Sequence, residues 1–332
     1  MRAPADLPIL IEGFFTKRLI AQRQASPHTI ASYRDTFRLL LTFAAKQLGR
    51  EPSKLTLADL NAPLIATFLD HIEKTRANTA RSRNQRLAAI RSFFRYAALE
   101  TPEHSALIAR ALAIPSKRHT RPLIDFLTRA ELQALLTAPD RSAWIGRRDH
   151  ALLLTALQTG LRLSEITSLR VEDIALGTGA HIRCIGKGRK ERCTPLVKTT
   201  AAVLSAWIKE QGREQSGLLF PSARGGRLSA DAVQRLVQKH VETAREACPS
   251  LARKRVTPHV LRHTAAMELL QAGVDCSLIA LWLGHESVET TQIYLNANLA
   301  IKEEILAKTR PLQSTPHRYK PDDRLLTFLR SL

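Results

Sequence analysis

The sequence predicts a mainly α-helical protein with one small antiparallel β-hairpin in its C-terminal half. Three observations carry this prediction. Apolar residues recur at helical spacing along most of the chain, one stretch near position 185 alternates at strand spacing, and 332 residues can form two domains or one large one. The contents of hydrophobic (44%) and charged (24%) residues are typical of an ordinary globular chain.

Residues 1–112 predict a helical domain. In its long helix, Ser26 is a suitable N-cap, Pro27 takes the first helical position and Gly49 ends the helix. The stretch from Leu57 to Ile72 predicts two shorter helices. The apolar stripe of the long helix consists of Ile30, Tyr33, Phe37, Leu40 and Leu41.

Another helix of this domain, RANTARSRNQRLAAIRSFFRYAALE, is rich in arginine. Its apolar positions include Leu87, Ile90 and Phe94, so the pattern places the arginines on the solvent side. Such a face is either an ordinary solvated surface or a set of contacts to DNA phosphates. The helix carries Arg81, Arg83, Arg86, Arg91 and Arg95; the first four, with Arg189 farther along, are the predicted DNA contacts.

Residues 113–127, AIPSKRHTRPLIDFL, predict an interdomain linker, because they combine two prolines with four basic residues and have no clear periodicity. A basic linker suits a chain that passes close to a DNA backbone, although exposure alone explains the charge equally well. The second domain is then 128–310, and 311–332 is a tail.

The second domain is predicted to be mixed. In HIRCIGKGRKERCTPL, residues 181–196, an alternating run is followed by two glycines and a second extended run, which indicates a β-hairpin. The tail ends in a short amphipathic segment, DDRLLTFLRSL. Helices are predicted at 128–138, 147–160, 164–171, 199–211, 229–247, 258–272, 276–283, 288–296 and 301–309.

The charge balance is unusual. Fifty Lys and Arg residues against thirty Asp and Glu give a formal net charge of +20, which attracts polyanions such as nucleic acid. No run approaches the roughly 18 consecutive apolar residues of a spanning helix, and Asp6 and Glu12 interrupt any signal-like start, so a soluble cytoplasmic protein is expected. The cysteines form no CxxC pair, and we expect them to be reduced and structural, with no zinc site.

Two cation-capable side chains fall at one predicted helix start, in TPHVLRHTAAMELLQAG. Thr257 is a suitable N-cap with Pro258 after it, which puts His259 in the first turn and Arg262 on the same face. A helix N-terminus already favours anions. The alternative is a solvent-exposed first turn.

Two further cations lie at turns. Arg162 follows Gly160 and precedes a short helix, where Glu165 could hold its guanidinium; the pair could equally be a structural ion pair. Lys187 stands between two glycines at the hairpin tip, from which it can project into a groove or simply form a soluble turn.

The stretch LGHESVETTQIY raises a separate question. Gly284 ends a helix, which leaves His285 in the connection, and Tyr294 follows one helix later. Neither position is an obvious core position.

Taken in order, TGLRLSE, GKGRKER, HVLRHT and LGHESVETTQIY resemble the signature of the tyrosine recombinases, the phage-integrase and Xer-like site-specific DNA recombinases, over about 128–308. The N-terminal helices resemble that family's SAM-like core-binding domain, and the second domain its DNA breaking-rejoining catalytic domain. The long tail is similar to tails of integrases encoded by transposons and insertion elements. The resemblance implies an integrase of a mobile element.

The resemblance also implies roles. Arg162 and Arg262 clamp the phosphate, Tyr294 is the nucleophile and Lys187 the general acid, while His259 helps move the tyrosine proton and His285 hydrogen-bonds the phosphate. A 3′-phosphotyrosyl ester keeps the free energy of the broken bond, so neither a cofactor nor a metal is implied. The two rival functions are a non-catalytic DNA-binding or architectural protein, which does not need six such residues, and a type IB topoisomerase, which relaxes DNA without joining duplexes.

The implied partner is double-stranded DNA, bound by four protomers that are either identical or of two kinds. A C-terminal helix would pass between neighbours, for which 301–309 and RLLTFLRSL are candidates. Packing on its own domain is the alternative for this apolar strip.

Overall fold

The computed structural model describes residues 6–120, 124–186, 191–212, 217–285, 290–291 and 294, in two compact units, 1–121 and 122–332. Within these ranges no helix is both long and apolar enough to cross a membrane. Several predicted features lie outside the described residues: Lys187, Arg189, most of the helix 288–296, the helix 301–309 and the tail 311–332.

The first unit is helical, as predicted. Its long helix α2 begins and ends where the sequence indicates: the Ser26 side chain accepts a hydrogen bond from the backbone N–H of Thr29, and Gly49 ends the helix in the left-handed conformation. The α-helices are α1 (Leu7–Gly13), α2 (Pro27–Leu48), α3 (Ala62–Arg76), α4 (Ala80–Glu100) and α5 (Ser105–Ala113), with a π-helical stretch at Phe14–Gln22 and short 3₁₀ turns at Pro52–Lys54, Leu57–Asp59 and Pro102–His104. Aromatic side chains dominate the core, where Phe14, Phe37 and Phe93 meet one another at centroid distances of 5.2 to 6.0 Å.

The arginines of α4 do not form one solvent face. Arg83 is 4% exposed, pairs with Glu73 at 3.7 Å and donates to the backbone oxygen of Pro115 at 3.3 Å. Arg86 and Arg91 are half-buried. The prediction of a solvated Arg83 is therefore wrong, because the Glu73 carboxylate and the Pro115 carbonyl already hold its guanidinium. That Arg83 contacts DNA stays a prediction. Only Arg81 and Arg95 of the five are exposed.

The start of the predicted linker is bound to α3 and α4. Arg91 donates to the backbone oxygen of Ile114, Asn84 bonds the backbone of Lys117 in both directions (2.8 and 3.0 Å), and the Lys117 ammonium lies 2.5 Å from the carboxylate of Glu73. Residues 114–117 are thus part of the first unit.

The second unit is built around α7, which packs against α9 and α11. Most of the helix boundaries agree with the predicted ones to within a few residues. The α-helices are α6 (Arg129–Thr137), α7 (Trp144–Thr159), α8 (Leu163–Ser168), α9 (Lys198–Glu210), α10 (Ala230–Ala247), α11 (Pro258–Gln271) and α12 (Cys276–Leu283), with 3₁₀ turns at Val171–Asp173 and Pro249–Arg253.

The predicted hairpin is present as β2 (His181–Ile185) and β3 (Glu191–Pro195). The sequence did not indicate β1 (Ile174–Ala175), which extends it to a three-stranded antiparallel sheet in the order β1-β2-β3. Cys184 lies opposite Arg192 in the β2–β3 register. The buried Cys184 and the exposed Cys193 are both free thiols.

Close packing at Gly160 brings three helices together. This residue ends α7 at φ 63°, and a Cβ there would lie 2.6 Å from the Leu283 side chain of α12 and 3.2 Å from the Ala265 side chain of α11. Glycine is therefore required twice, for the left-handed turn and for the approach of α11 and α12.

Candidate active site

Arg162 lies where α7 gives way to α8. It is the N-cap of α8, and its backbone N–H donates to Glu165 Oε2 at 2.8 Å. Its Nη1 donates to Glu165 Oε1 at 3.0 Å. The expected contact between Arg162 and Glu165 is thus present, with the carboxylate holding both the backbone and the guanidinium of Arg162.

Glu165 is also held from the sheet. Its side chain is 4% exposed, and Arg192 of β3 donates to Oε1 at 3.1 Å and to Oε2 at 2.7 Å. Burial alone would raise the pKa of the Glu165 carboxyl, but the hydrogen bonds from Arg192 and Arg162 outweigh it and leave that pKa below its ordinary value. Glu165 is therefore an anion at neutral pH.

Arg262 comes from the first turns of α11, whose predicted N-cap is confirmed: the Thr257 side chain accepts from the backbone N–H of Val260. Its guanidinium is buried and donates to the backbone oxygens of Gly160 at 2.5 Å and Leu283 at 2.8 Å. Burial, and then the charge of Arg162, lower the pKa of Arg262 to about 10, so it remains a cation at neutral pH.

The two arginines meet at the end of α12. Arg262 bonds the Leu283 oxygen, and Arg162 Nη2 donates to the oxygen of the next residue, Gly284, at 2.7 Å. Arg162 and Arg192 share the Glu165 carboxylate, and Arg262 lies close enough for the charge of Glu165 to act on it. Among the described residues, these three guanidinium groups and one carboxylate leave an excess of two positive charges. A guanidinium has five N–H groups, and the hydrogen bonds described above use only some of those of each arginine. The arrangement suits an anion that accepts hydrogen bonds on two of its oxygens, such as a phosphodiester.

Histidines differ in their placement around this cluster. His285, directly after Gly284, has Nδ1 2.8 Å from Thr291 Oγ1. Burial, and then the charges of Arg262 and Arg162, lower the pKa of His285 to about 4, so its ring is neutral at pH 7. His259, in the first turn of α11, is exposed.

The phenol of Tyr294 is buried at 1% exposure. Its hydroxyl oxygen lies 3.0 Å from Nδ1 of His263, and its ring stacks on that of His285 at 6.4 Å between centroids. Met267 and Leu283 belong to the apolar cluster on which it packs. Burial raises the pKa of Tyr294, an effect that the charge of Arg262 partly opposes. The phenol is thus enclosed, but polar and cationic groups line part of its surroundings.

Four of the six predicted catalytic residues therefore lie together: Arg162, Arg262, His285 and Tyr294. His259 lies on the helix that carries Arg262, one turn before it, and Lys187 is outside the described residues.

Sequence reasoning missed two members of the cluster, Arg192 and His263. For Arg192 a signal existed, since in the β2–β3 register it lies opposite Cys184, a buried position. For His263 the only signal is its place directly after Arg262.

Comparisons with known proteins identify the family of the chain. The phage integrase family matches residues 125–300, and the phage integrase N-terminal SAM-like domain matches 12–101. A protein of Sinorhizobium fredii, provisionally named integrase/recombinase y4rC, is 63% identical over 332 residues, all of both chains. Tyrosine recombinase XerC of Pelobacter propionicus is 33% identical over 91% of this chain and 95% of its own.

Among solved structures, the XerH site-specific recombinase bound to palindromic difH substrate superposes with a TM-score of 0.70, at 24% identity, over 86% of this chain and 81% of that one. This likeness shows a shared fold. With the family matches to both halves, it follows that the chain belongs to the phage integrase family of tyrosine-type site-specific recombinases.

Proposed function

We propose that this chain binds duplex DNA at a recombination site and exchanges strands through a covalent phosphotyrosine, with Tyr294 as the nucleophile. The single observation that carries the proposal is the meeting of Arg162 and Arg262 on the oxygens of Gly284 and Leu283, next to His285 and Tyr294. A purely structural cluster would have no need of an excess of buried positive charge, which costs free energy until an anion binds.

In the cleavage step, the Tyr294 oxygen bonds to the phosphorus, and the bond from phosphorus to the 5′ oxygen breaks. The phenol loses its proton and the departing 5′ oxygen gains one, which leaves a 3′-phosphotyrosyl ester and a free 5′-hydroxyl. In the rejoining step, the 5′-hydroxyl of a partner duplex attacks the same phosphorus, and the phenol recovers a proton. The ester conserves the bond's free energy, so the two steps need no external energy source.

Arg162 and Arg262 serve this reaction because negative charge accumulates on the non-bridging oxygens in the transition state. Guanidinium groups match the geometry of those oxygens and stay charged. A preorganised donor of this kind is worth about 3 to 4 kcal/mol of transition-state stabilisation. His285, with a pKa of about 4, contributes a hydrogen bond and no charge.

The roles proposed for the proton transfers follow from the family resemblance. Lys187 protonates the leaving 5′ oxygen, and His259 assists the loss of the tyrosine proton. In the described arrangement the phenol is bonded to His263 and 1% exposed, and we infer that it moves outward before it attacks a phosphate that arrives from solvent. The buried phenol is then the inactive arrangement of the nucleophile.

The exposed Arg81 supports a further contact to DNA phosphates from the first unit, and a net charge of +20 favours DNA as the partner. The chain acts in the cytoplasm as an integrase of a mobile element, in a tetramer on two synapsed sites.

The test uses duplexes that the chain itself selects from a random-sequence library, rebuilt with a nick at successive positions to trap the cleaved intermediate. Wild type should form a protein–DNA adduct that survives denaturing electrophoresis. Tyr294→Phe should bind the same duplexes and form none, with Tyr33→Phe, in the other unit, as the matched control that retains it. An adduct from Tyr294→Phe would refute the assignment, and strand relaxation without any joining of two duplexes would indicate the topoisomerase alternative.

A further inference from the structure

Arg192 lies near the site and is held there by two hydrogen bonds, but it has no part in the reaction described above. It stands on β3, its side chain is 13% exposed, and both of its Nη groups donate to the Glu165 carboxylate, at 3.1 and 2.7 Å. An arginine on a short strand would ordinarily extend into solvent, since removing its charge from water is costly unless it is paired. This one is instead directed towards α8.

The carboxylate that Arg192 binds is shared with Arg162. Oε1 accepts one bond from Arg192 and one from Arg162 Nη1, and Oε2 accepts one bond from Arg192 and one from the Arg162 backbone. Each oxygen therefore has one partner from each arginine. Without Arg192, the full negative charge of Glu165 would act on Arg162 alone, and a bidentate pair would draw the Arg162 guanidinium away from Gly284.

The guanidinium of Arg192 also lies against the turn that precedes His285. A Cβ on Gly284 would be 2.8 Å from Arg192 Nη1 and 3.1 Å from its Cζ. The oxygen of that same Gly284 accepts the bond from Arg162 Nη2 at 2.7 Å. Arg192 thus contacts two of the elements that present site residues: the start of α8 through Glu165, and the end of α12 through Gly284.

We propose that Arg192 is a positioning residue for strand cleavage: it shares Glu165 with Arg162 so that Arg162 stays aimed at the phosphate, and it supports the Gly284 turn that carries His285. This inference rests on the proposed function, because the aim of Arg162 matters only if a phosphate is cleaved there. Arg192 itself need not contact DNA.

The test compares Arg192→Gln, Arg192→Lys and the double variant Arg192→Gln/Glu165→Gln in single-turnover adduct formation on the nicked duplexes described above. Arg192→Gln should cleave about tenfold or more slowly, since small misplacement of a catalytic group has effects of that size. DNA affinity should stay within about twofold, because no phosphate contact is removed. Arg192→Lys keeps the charge but not the two-point contact, so its cleavage rate should lie between those of wild type and Arg192→Gln.

The double variant separates positioning from packing. If the unshared Glu165 charge is what misplaces Arg162, then neutralising it should make the double variant faster than Arg192→Gln alone. A merely structural role predicts a double variant no faster than the single one, which would overturn the proposal, as would a wild-type rate for Arg192→Gln. If Arg192→Gln does not fold, a wild-type rate for Arg192→Lys overturns it equally. Loss of the adduct in the wild-type chain would instead refute the proposed function.

Discussion

The hydroxyl oxygen of Tyr294 lies 3.0 Å from Nδ1 of His263, and the two rings meet edge to face at a centroid distance of 5.6 Å. Burial, and then the nearby His259 and Arg262, lower the pKa of His263 to about 4, so its imidazole is neutral at pH 7 and can accept the phenol's proton. This pairing satisfies the buried hydroxyl. Under the proposed function, movement of the Tyr294 hydroxyl out of this pocket requires that hydrogen bond to break.

A double-mutant cycle of His263→Phe and Tyr294→Phe measures that bond. Each single change leaves its partner buried without this contact and should lower the free energy of unfolding by about 1 to 3 kcal/mol. The double variant should lose little more than one single variant, which gives a coupling of about 1 to 3 kcal/mol. Tryptophan fluorescence during urea unfolding is the suitable measurement, since all three tryptophans, Trp144, Trp207 and Trp282, lie in the second unit. Additive losses would show that the contact has no energetic weight.

His263 and His285 together predict a pH dependence of stability. Both have a pKa of about 4 in the folded chain, against about 6.5 when unfolded. Between these values the unfolded chain binds more protons, so stability is fully present above about pH 6.5 and falls as the pH drops towards 4, by at most about 1.4 kcal/mol per pH unit for each histidine.

The same fluorescence assay, repeated from pH 7 to 4, tests this dependence. His263→Phe removes one of the two protonating groups and should reduce the slope. An unchanged slope in that variant would mean that His263 does not titrate on unfolding. Glu165 contributes only at the acidic end of this range, because the stability that comes from its lowered pKa is fully present above its unfolded value of about 4.5. The slope from pH 7 to about 5.5 therefore reports the histidines.

The sequence predicts the local parts of this structure well. Helix ends at Ser26, Gly49, Thr257 and Gly284 follow from the chemistry of a few neighbouring residues, so they are found where the sequence indicates. The order of the four motifs, through the resemblance, also selects the residues that meet at the end of α12.

What the sequence does not predict depends on partners that are distant along the chain. Arg83 looks like a solvated arginine until α3 and residue 115 supply its partners, and Arg192 looks like a hairpin surface charge until α8 brings Glu165 to it. Periodicity fixes which face a residue occupies but not which opposite charge reaches that face. The burial of Tyr294 has the same origin, since its neighbours come from α11 and α12.

Substitution of Gly284 tests its close approach to the Arg192 guanidinium. It has φ 66°, and an added Cβ would lie 2.8 Å from Arg192 Nη1. Gly273 is a matched control, since its φ is 80° and nothing lies within 4 Å of its added Cβ. Both alanine variants should lose about 1 kcal/mol of stability from the left-handed backbone. Gly284→Ala should lose more and should also slow adduct formation, because the Arg192 guanidinium must shift. Equal losses and equal rates in the two variants would contradict the close approach.

Two arginines near the start of α4 should behave in opposite ways. Arg81 is exposed, whereas Arg83 is held by Glu73 and Pro115. If Arg81 contacts a phosphate, Arg81→Ala should weaken binding to a duplex of mixed sequence and reduce the slope of log affinity against log salt by about 1.

Arg83→Met keeps the apolar stem but leaves Glu73 without this partner, so it should lower the melting temperature of the first unit in calorimetry and leave the salt slope unchanged. Fluorescence anisotropy across a salt series gives both slopes. A loss of slope in Arg83→Met with an unchanged melting temperature would support Arg83 as a DNA contact. An unchanged slope in Arg81→Ala would remove Arg81 from that role.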